Sequence, residues 1–261
     1  MNYPAGIAQY LNHKTGHIDD VGMSGSTVIM YDDCVLKIEP ASARAVTTAA
    51  VMGWLDDRIP AAKVIHHEIE DGKSWLLMSR MPGVMSCSPE YMKQPETLIS
   101  ALADGLKMLQ STDTTGCPRI QTLDDLLAEA RYRVENNLVD LDSAEPETFS
   151  ENGFRDPRQL LGWLEANKPE SQLCLIHGDY CLPNVFLKDG KLSGLIDLDD
   201  FGIGEKWRDI ALCCRSLRHN AVGAYGGKVY PNIEPAFLFQ KLGVEPDWQQ
   251  IRWHLLLDEL F

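Results

Sequence analysis

His177-Gly178-Asp179-Tyr180-Cys181-Leu182-Pro183-Asn184 is followed, across a short turn, by Leu192-Ser193-Gly194-Leu195-Ile196-Asp197. An Asp, an Asn five residues on, and a second Asp leaving a strand just beyond are the parts that phosphoryl transfer needs. That reaction asks little covalent help of a protein. It needs a carboxylate that orients the attacking hydroxyl and ligands that fix Mg²⁺ on the phosphates. The Asp-to-Asn spacing is one that phosphoryl-transfer loops use. Asp179 is therefore the candidate catalytic carboxylate, and Asn184 and Asp197 are the candidate metal ligands.

Hairpin geometry supports the pairing. Asp189-Gly190 between two apolar runs is a two-residue hairpin signal. Lys188 then pairs with Lys191, and counting outward sets Asn184 opposite Leu195, with Asp197 a diagonal neighbour on the same face. Diagonal neighbours lie roughly 7–8 Å apart, a gap that one Mg²⁺ with oxygen ligands at about 2 Å bridges. Asp200-Phe201-Gly202 spells the D-F-G triplet of phosphoryl-transfer enzymes literally, but Asp200 lies three residues further on. Its face is wrong if the strand continues and undefined if it ends, so geometry favours Asp197. The bland reading is two surface loops with incidental acids, since Asp and Asn favour loops anyway. The joint spacing of all three residues argues against it.

The rest of the chain bounds the reading. At 261 residues there is length for one large domain or two lobes sharing a cleft. The formal net charge of −14 argues against a nucleic-acid partner and favours a cationic small molecule. Acidity for solubility alone is the competing explanation. No apolar run approaches the roughly 18 residues of a membrane span, and residues 1–21 do not read as a secretory signal. A cytoplasmic protein is expected. The seven cysteines show no paired or zinc-like spacing and read as reduced, mainly structural thiols.

Strands are expected at residues 26–30, 34–38, 62–69 and 74–79, with a helix at 41–55 and a break at Met81-Pro82-Gly83. Helices follow at 95–110, 123–138, 157–167, 207–218 and 248–261, with a Gly/Pro-rich loop over 223–235. Strands at 173–177, 185–187 and 192–196 frame the candidate site. The outline is a small β-rich lobe, a hinge at 79–83 and a larger, mainly helical lobe. In the small lobe, Lys37 ends an apolar strand and could hold nucleotide phosphates, although a lone strand-end lysine is more often a surface residue. The turn Gly22-Met23-Ser24-Gly25-Ser26 could lay backbone N–H groups over phosphates.

In this order the motifs resemble the aminoglycoside phosphotransferase family, and its 3′-phosphotransferase branch in particular. The likeness runs over nearly the whole chain. It is densest at Leu175-Ile176-His177-Gly178-Asp179 through Asn184, at 188–197, at Lys206-Trp207-Arg208-Asp209-Ile210-Ala211 and at the closing Leu256-Leu257-Asp258-Glu259-Leu260-Phe261. The resemblance implies an α+β, two-lobed protein-kinase-like fold, with a nucleotide-binding lobe over 1–80 and a catalytic and acceptor-binding lobe over 81–261. It implies ATP (or GTP) and Mg²⁺ as cofactors. The nucleotide would sit at Ser79 and Met81 of the hinge, with Lys37 and Ser24 on its phosphates. Asp258, Glu259 and the α-carboxylate of Phe261 would grip the amines of an aminoglycoside, and Asp209 would brace the catalytic loop. The activity implied is transfer of the ATP γ-phosphate to a hydroxyl, the 3′, with antibiotic resistance as the outcome. The alternatives are a kinase of another small alcohol and a nucleotide-binding protein without turnover.

The chain also departs from the family pattern. Residues 41–55 contain no acid to pair with Lys37, and Thr48 stands where a Glu is expected. Glu39, two residues along the same strand face, is the candidate substitute. Val35 replaces an aromatic, His219-Asn220 replace an acidic pair, and Asp200 falls where a basic residue is common.

Overall fold

The computed structural model describes residues 3–19, 26–224 and 226–261. Ser24 and most of the 22–26 turn lie outside the described residues. The chain opens with α1 (Ala5–Leu11), then β1 (His17–Ile18), β2 (Thr27–Met30), β3 (Cys34–Pro40), α2 (Ala43–Leu55), β4 (Val64–Glu70) and β5 (Lys73–Ser79). These strands form an antiparallel sheet in the order β1-β2-β3-β5-β4. Alternation along the strands sorts its faces. Leu36, Ile38, Trp75 and Leu77 pack with Ile7 and Leu11 of α1 on one side. Lys37, paired in register with Leu76, belongs to the other face, where Leu76 joins Val51, Met52 and Leu55 of α2. Ser42 starts α2 by accepting the Ala45 N–H on its Oγ at 3.1 Å.

Beyond the hinge come β6 (Val84–Met85), α3 (Pro89–Met92), α4 (Pro95–Ser111), α5 (Leu123–Glu135), α6 (Pro157–Ala166) and β7 (Leu173–Ile176). Then follow β8 (Val185–Lys188), β9 (Lys191–Leu195), β10 (Gly202–Glu205), α7 (Lys206–Val222), α8 (Ala236–Leu242) and α9 (Trp248–Asp258). The α+β, two-lobed expectation holds, and most elements fall within a few residues of their expected bounds. Helix α5 ends at Glu135, short of residue 138, with Asn136 as its C-cap and Asn137 just beyond at φ +54°. Helix α7 runs on to Gly223, a left-handed C-cap. Strand β10 and helix α8 were not anticipated.

One buried apolar cluster runs from Val51, Leu55 and Leu76 through Leu98 and Leu102 to Val185, Leu195 and Leu217, so the two lobes share a core. A second cluster joins α5, α6 and α9 through Leu126, Leu160, Trp253 and Leu257. The hinge is fastened to the β8–β9 hairpin: β6 pairs with β8, and the Ser193 hydroxyl donates to the Pro82 carbonyl at 2.6 Å. Gly83, at φ +92°, is required there, since a Cβ would sit 2.1 Å from the Leu187 carbonyl oxygen.

Candidate active site

The expected Asp-Gly turn is present, with Asp189 and Gly190 at φ +52° and +74° and Lys188 paired with Lys191. The register beyond it differs from the simple count. A bulge leaves Ser193 unpaired, so Val185, not Asn184, faces Leu195. Asn184 closes a 3₁₀ turn begun by Leu182-Pro183, and its carbonyl accepts the Ile196 N–H at 3.0 Å. The shift brings Asn184 beside the residue preceding Asp197, so the two remain neighbours.

The loop carrying Asp179 is held from several sides. Asp209, at the start of α7, accepts the N–H groups of His177 at 2.7 Å and Gly178 at 2.9 Å. His177 is buried; its Nε2 donates to the Ile196 carbonyl at 2.8 Å, which fixes the tautomer, and its Nδ1 accepts the Asp179 N–H at 3.2 Å. The Tyr180 hydroxyl donates to the Leu102 carbonyl of α4 at 3.0 Å. These bonds join the Asp179 loop to the strand that delivers Asp197.

Asn184 Nδ2 donates to Asp179 Oδ2 at 2.8 Å and to the Asp179 carbonyl at 3.1 Å. Its amide oxygen is thereby the end left to face a cation. Burial first, then the neighbouring Asp199, push the Asp197 carboxyl above its ordinary value, with Lys37 opposing. Asp197 also adopts φ +57°, a left-handed conformation uncommon outside glycine. An exposed carboxylate beside another acid, with an amide oxygen adjacent, is a donor set that suits Mg²⁺. Asp200 is engaged elsewhere, 2.5 Å from Arg44 and 3.1 Å from Arg208.

A profile of the phosphotransferase enzyme family matches residues 20–254. An aminoglycoside 3′-phosphotransferase of Enterococcus faecalis is 42% identical over 213 residues, 81% of this chain and 76% of the relative. One from Staphylococcus aureus is 41% identical over 81% of this chain and 77% of its own. The chain belongs to the phosphotransferase enzyme family.

Solved structures agree on the fold of this phosphotransferase. An aminoglycoside phosphotransferase of Streptomyces rimosus superposes with a TM-score of 0.83 at 22% identity, covering 98% of this chain and 96% of that one. An aminoglycoside 3′-phosphotransferase of type VIII gives 0.78 at 24% identity, covering 95% and 94%.

Lys37 is only 9% exposed. Its Nζ lies 2.5 Å from Asp199 Oδ2 and 3.4 Å from Glu39 Oε2. Burial alone would lower this ammonium's pKa; Asp199 and then Glu39 outweigh it and hold the group above its ordinary value. Glu39 does stand beside Lys37, but Asp199, which sequence reading missed, is closer. Its signal was its place two residues after Asp197. Thr48 faces Arg119, whose Nη2 donates to its hydroxyl at 3.0 Å.

At the hinge, the Ser79 N–H donates to the Lys63 carbonyl at 2.8 Å, and the Ser79 hydroxyl accepts the Lys63 N–H at 2.9 Å. The Met81 backbone makes no hydrogen bond among the described residues. Both residues line a cleft of about 490 Å³ with Pro60, Lys63 and Ser193.

The chain's end carries a second charged cluster. Arg215 of α7, also missed by sequence reading, pairs with Asp258 and lies 3.8 Å from Glu259. Glu259 Oε2 accepts the Glu145 N–H at 2.8 Å, and burial pushes its carboxyl up despite that bond and Arg215. His219 stands 2.9 Å from Glu145. Phe261 is 36% exposed, and the Arg133 guanidinium lies 5.8 Å from its ring.

Proposed function

We propose that this phosphotransferase moves the γ-phosphate of Mg–ATP to the 3′-hydroxyl of an aminoglycoside, in the cytoplasm, and so confers resistance. The observation that carries the reading is the 2.8 Å bond from Asn184 Nδ2 to Asp179 Oδ2, because it ties the acceptor carboxylate to the metal pair. Asp179 takes the proton of the attacking hydroxyl while Asn184 holds the carboxylate's orientation. The hydroxyl oxygen bonds to the γ-phosphorus, the bond to the bridging oxygen breaks, and ADP leaves. Lys37 steadies phosphate oxygens from the nucleotide lobe, residues 1–80, and Met81 offers its unpaired backbone to the base. Ser79 and Ser24 complete the proposed nucleotide contacts.

Asn184 and Asp197 would hold Mg²⁺, which supplies charge neutralisation on the phosphates when bound. In the lobe over 81–261, Asp258, Glu259 and Phe261 face the acceptor's ammonium groups, in keeping with the net charge of −14. Among the described residues no helix is long and apolar enough to cross a membrane. The reading is tested by incubating the enzyme with Mg–ATP and an aminoglycoside, then locating the phosphate in the product by NMR. Phosphate on the 3′-oxygen supports it; phosphate on another oxygen, or none, overturns it.

A further inference from the structure

We propose that Asp199 is the positioning residue for Lys37, doing from the metal-binding loop what a helix carboxylate does in other kinase-fold proteins. The inference rests on the reading of Lys37 as the phosphate-holding lysine. Helix α2 brings no acid to that lysine. A buried ammonium without a carboxylate is costly, so the charge must be met from elsewhere. Two carboxylates meet it, at 2.5 Å from Asp199 and 3.4 Å from Glu39.

These two partners are not equivalent. Glu39 sits on the same strand as Lys37, moves with it, and cannot fix it against the opposite wall of the cleft. Asp199 is on that wall, two residues from Asp197. Its loop is itself clamped. Arg119 Nη1 donates to the carbonyls of Asp199 at 2.5 Å, Phe201 at 3.1 Å and Leu198 at 3.3 Å, while Nη2 reaches Thr48. Arg44 of α2 adds its ion pair with Asp200 at 2.5 Å. Helix α2 is thus connected to the loop, and the loop to Lys37. One rigid segment sets both the lysine and Asp197, so phosphate and metal binding are coupled through it.

An opposite role is conceivable on the same distance: Asp199 as a latch that keeps Lys37 from the phosphates. Nucleotide affinity separates the two. Binding of a non-hydrolysable Mg–ATP analogue is measured by calorimetry for wild type, Lys37→Ala, Asp199→Asn, Asp199→Glu, Glu39→Gln and the Lys37→Ala/Asp199→Asn double variant. No acceptor is needed. Asp199→Asn keeps the side-chain shape, and thermal unfolding checks that each variant is folded. Asp199→Asn should weaken binding about tenfold, since a charge-assisted contact is lost. Asp199→Glu, which keeps the charge and guards against an unfolded Asn variant, should stay within a fewfold of wild type, as should Glu39→Gln. The double variant should bind no more weakly than Lys37→Ala alone, because Asp199 acts through the lysine. Additive losses, or an Asp199→Asn enzyme that binds as well as or better than wild type, overturn the inference alone. Wild-type affinity in Lys37→Ala removes the phosphate-lysine reading, and the inference with it.

Discussion

Asp209 holds the backbone of His177 through a 2.7 Å bond from the His177 N–H to its Oδ2, while Oδ1 takes the adjacent Gly178 N–H at 2.9 Å. One buried carboxylate therefore satisfies two buried donors at the entrance of the Asp179 loop. Removing it leaves both donors unpaired, at about 1–3 kcal/mol each. Asp209→Ala should lower the unfolding free energy by roughly 2–6 kcal/mol in urea titrations, and turnover should fall with it. An unchanged urea midpoint would show that the loop does not depend on this brace.

Gly178 is constrained twice. Its φ is +85°, and a Cβ would lie 2.6 Å from both the Asp200 Cβ and the Asp200 carbonyl oxygen. Gly178→Ala must move either the Asp179 loop or the segment carrying Asp197 and Asp199. The expected result is a loss of kcat of about tenfold or more, given what a displacement of roughly 1 Å costs in catalysis. Wild-type kcat in a folded Gly178→Ala enzyme would contradict the alignment described for these two loops.

Glu259 tests the acceptor side. Glu259→Gln retains an oxygen for the Glu145 N–H and removes the negative charge, so the fold should survive. The KM for an aminoglycoside should rise about tenfold, the worth of one charge-assisted bond. The KM for ATP should stay near its wild-type value. Equal rises in both, or none in the acceptor KM, would take Glu259 out of the acceptor site.

A buried pair gives a pH signature. His254 is 2% exposed, with its Nε2 2.9 Å from Glu205 Oε2. Burial holds its pKa below the ordinary 6.5, and Glu205 offsets this only in part. The folded value is depressed, so this contribution is complete above the unfolded value and is lost as pH falls through the folded value. The thermal midpoint should drop as the pH falls below the ordinary histidine value of about 6.5, and His254→Gln should flatten that slope. Parallel profiles for the two proteins would assign the slope to other groups.

What could be read from sequence was local. The Asp189-Gly190 turn and the contact of Asp179 with Asn184 both depend on neighbours within some twenty residues. The bulge at Ser193 left no compositional mark. Its cause is tertiary: Ser193 bonds to Pro82, and Gly194 receives the Met81 side chain, whose Cε would lie 1.8 Å from a Cβ there. Asp199 and Arg119 were missed for the same reason, since Lys37 and Asp199 meet across the cleft and Arg119 acts on carbonyls of a distant loop. Arg215 sat inside an ordinary helical pattern. Only the packing of α7 against the chain's end brings it to Asp258.

The most direct test of the central claim is Mg-dependent ADP release with a matched pair of aminoglycosides, one bearing and one lacking the 3′-hydroxyl, in wild type and Asp179→Ala. Release that requires the 3′-hydroxyl and is lost in Asp179→Ala is the predicted result. Equal release with both aminoglycosides, or undiminished release in Asp179→Ala, would contradict it.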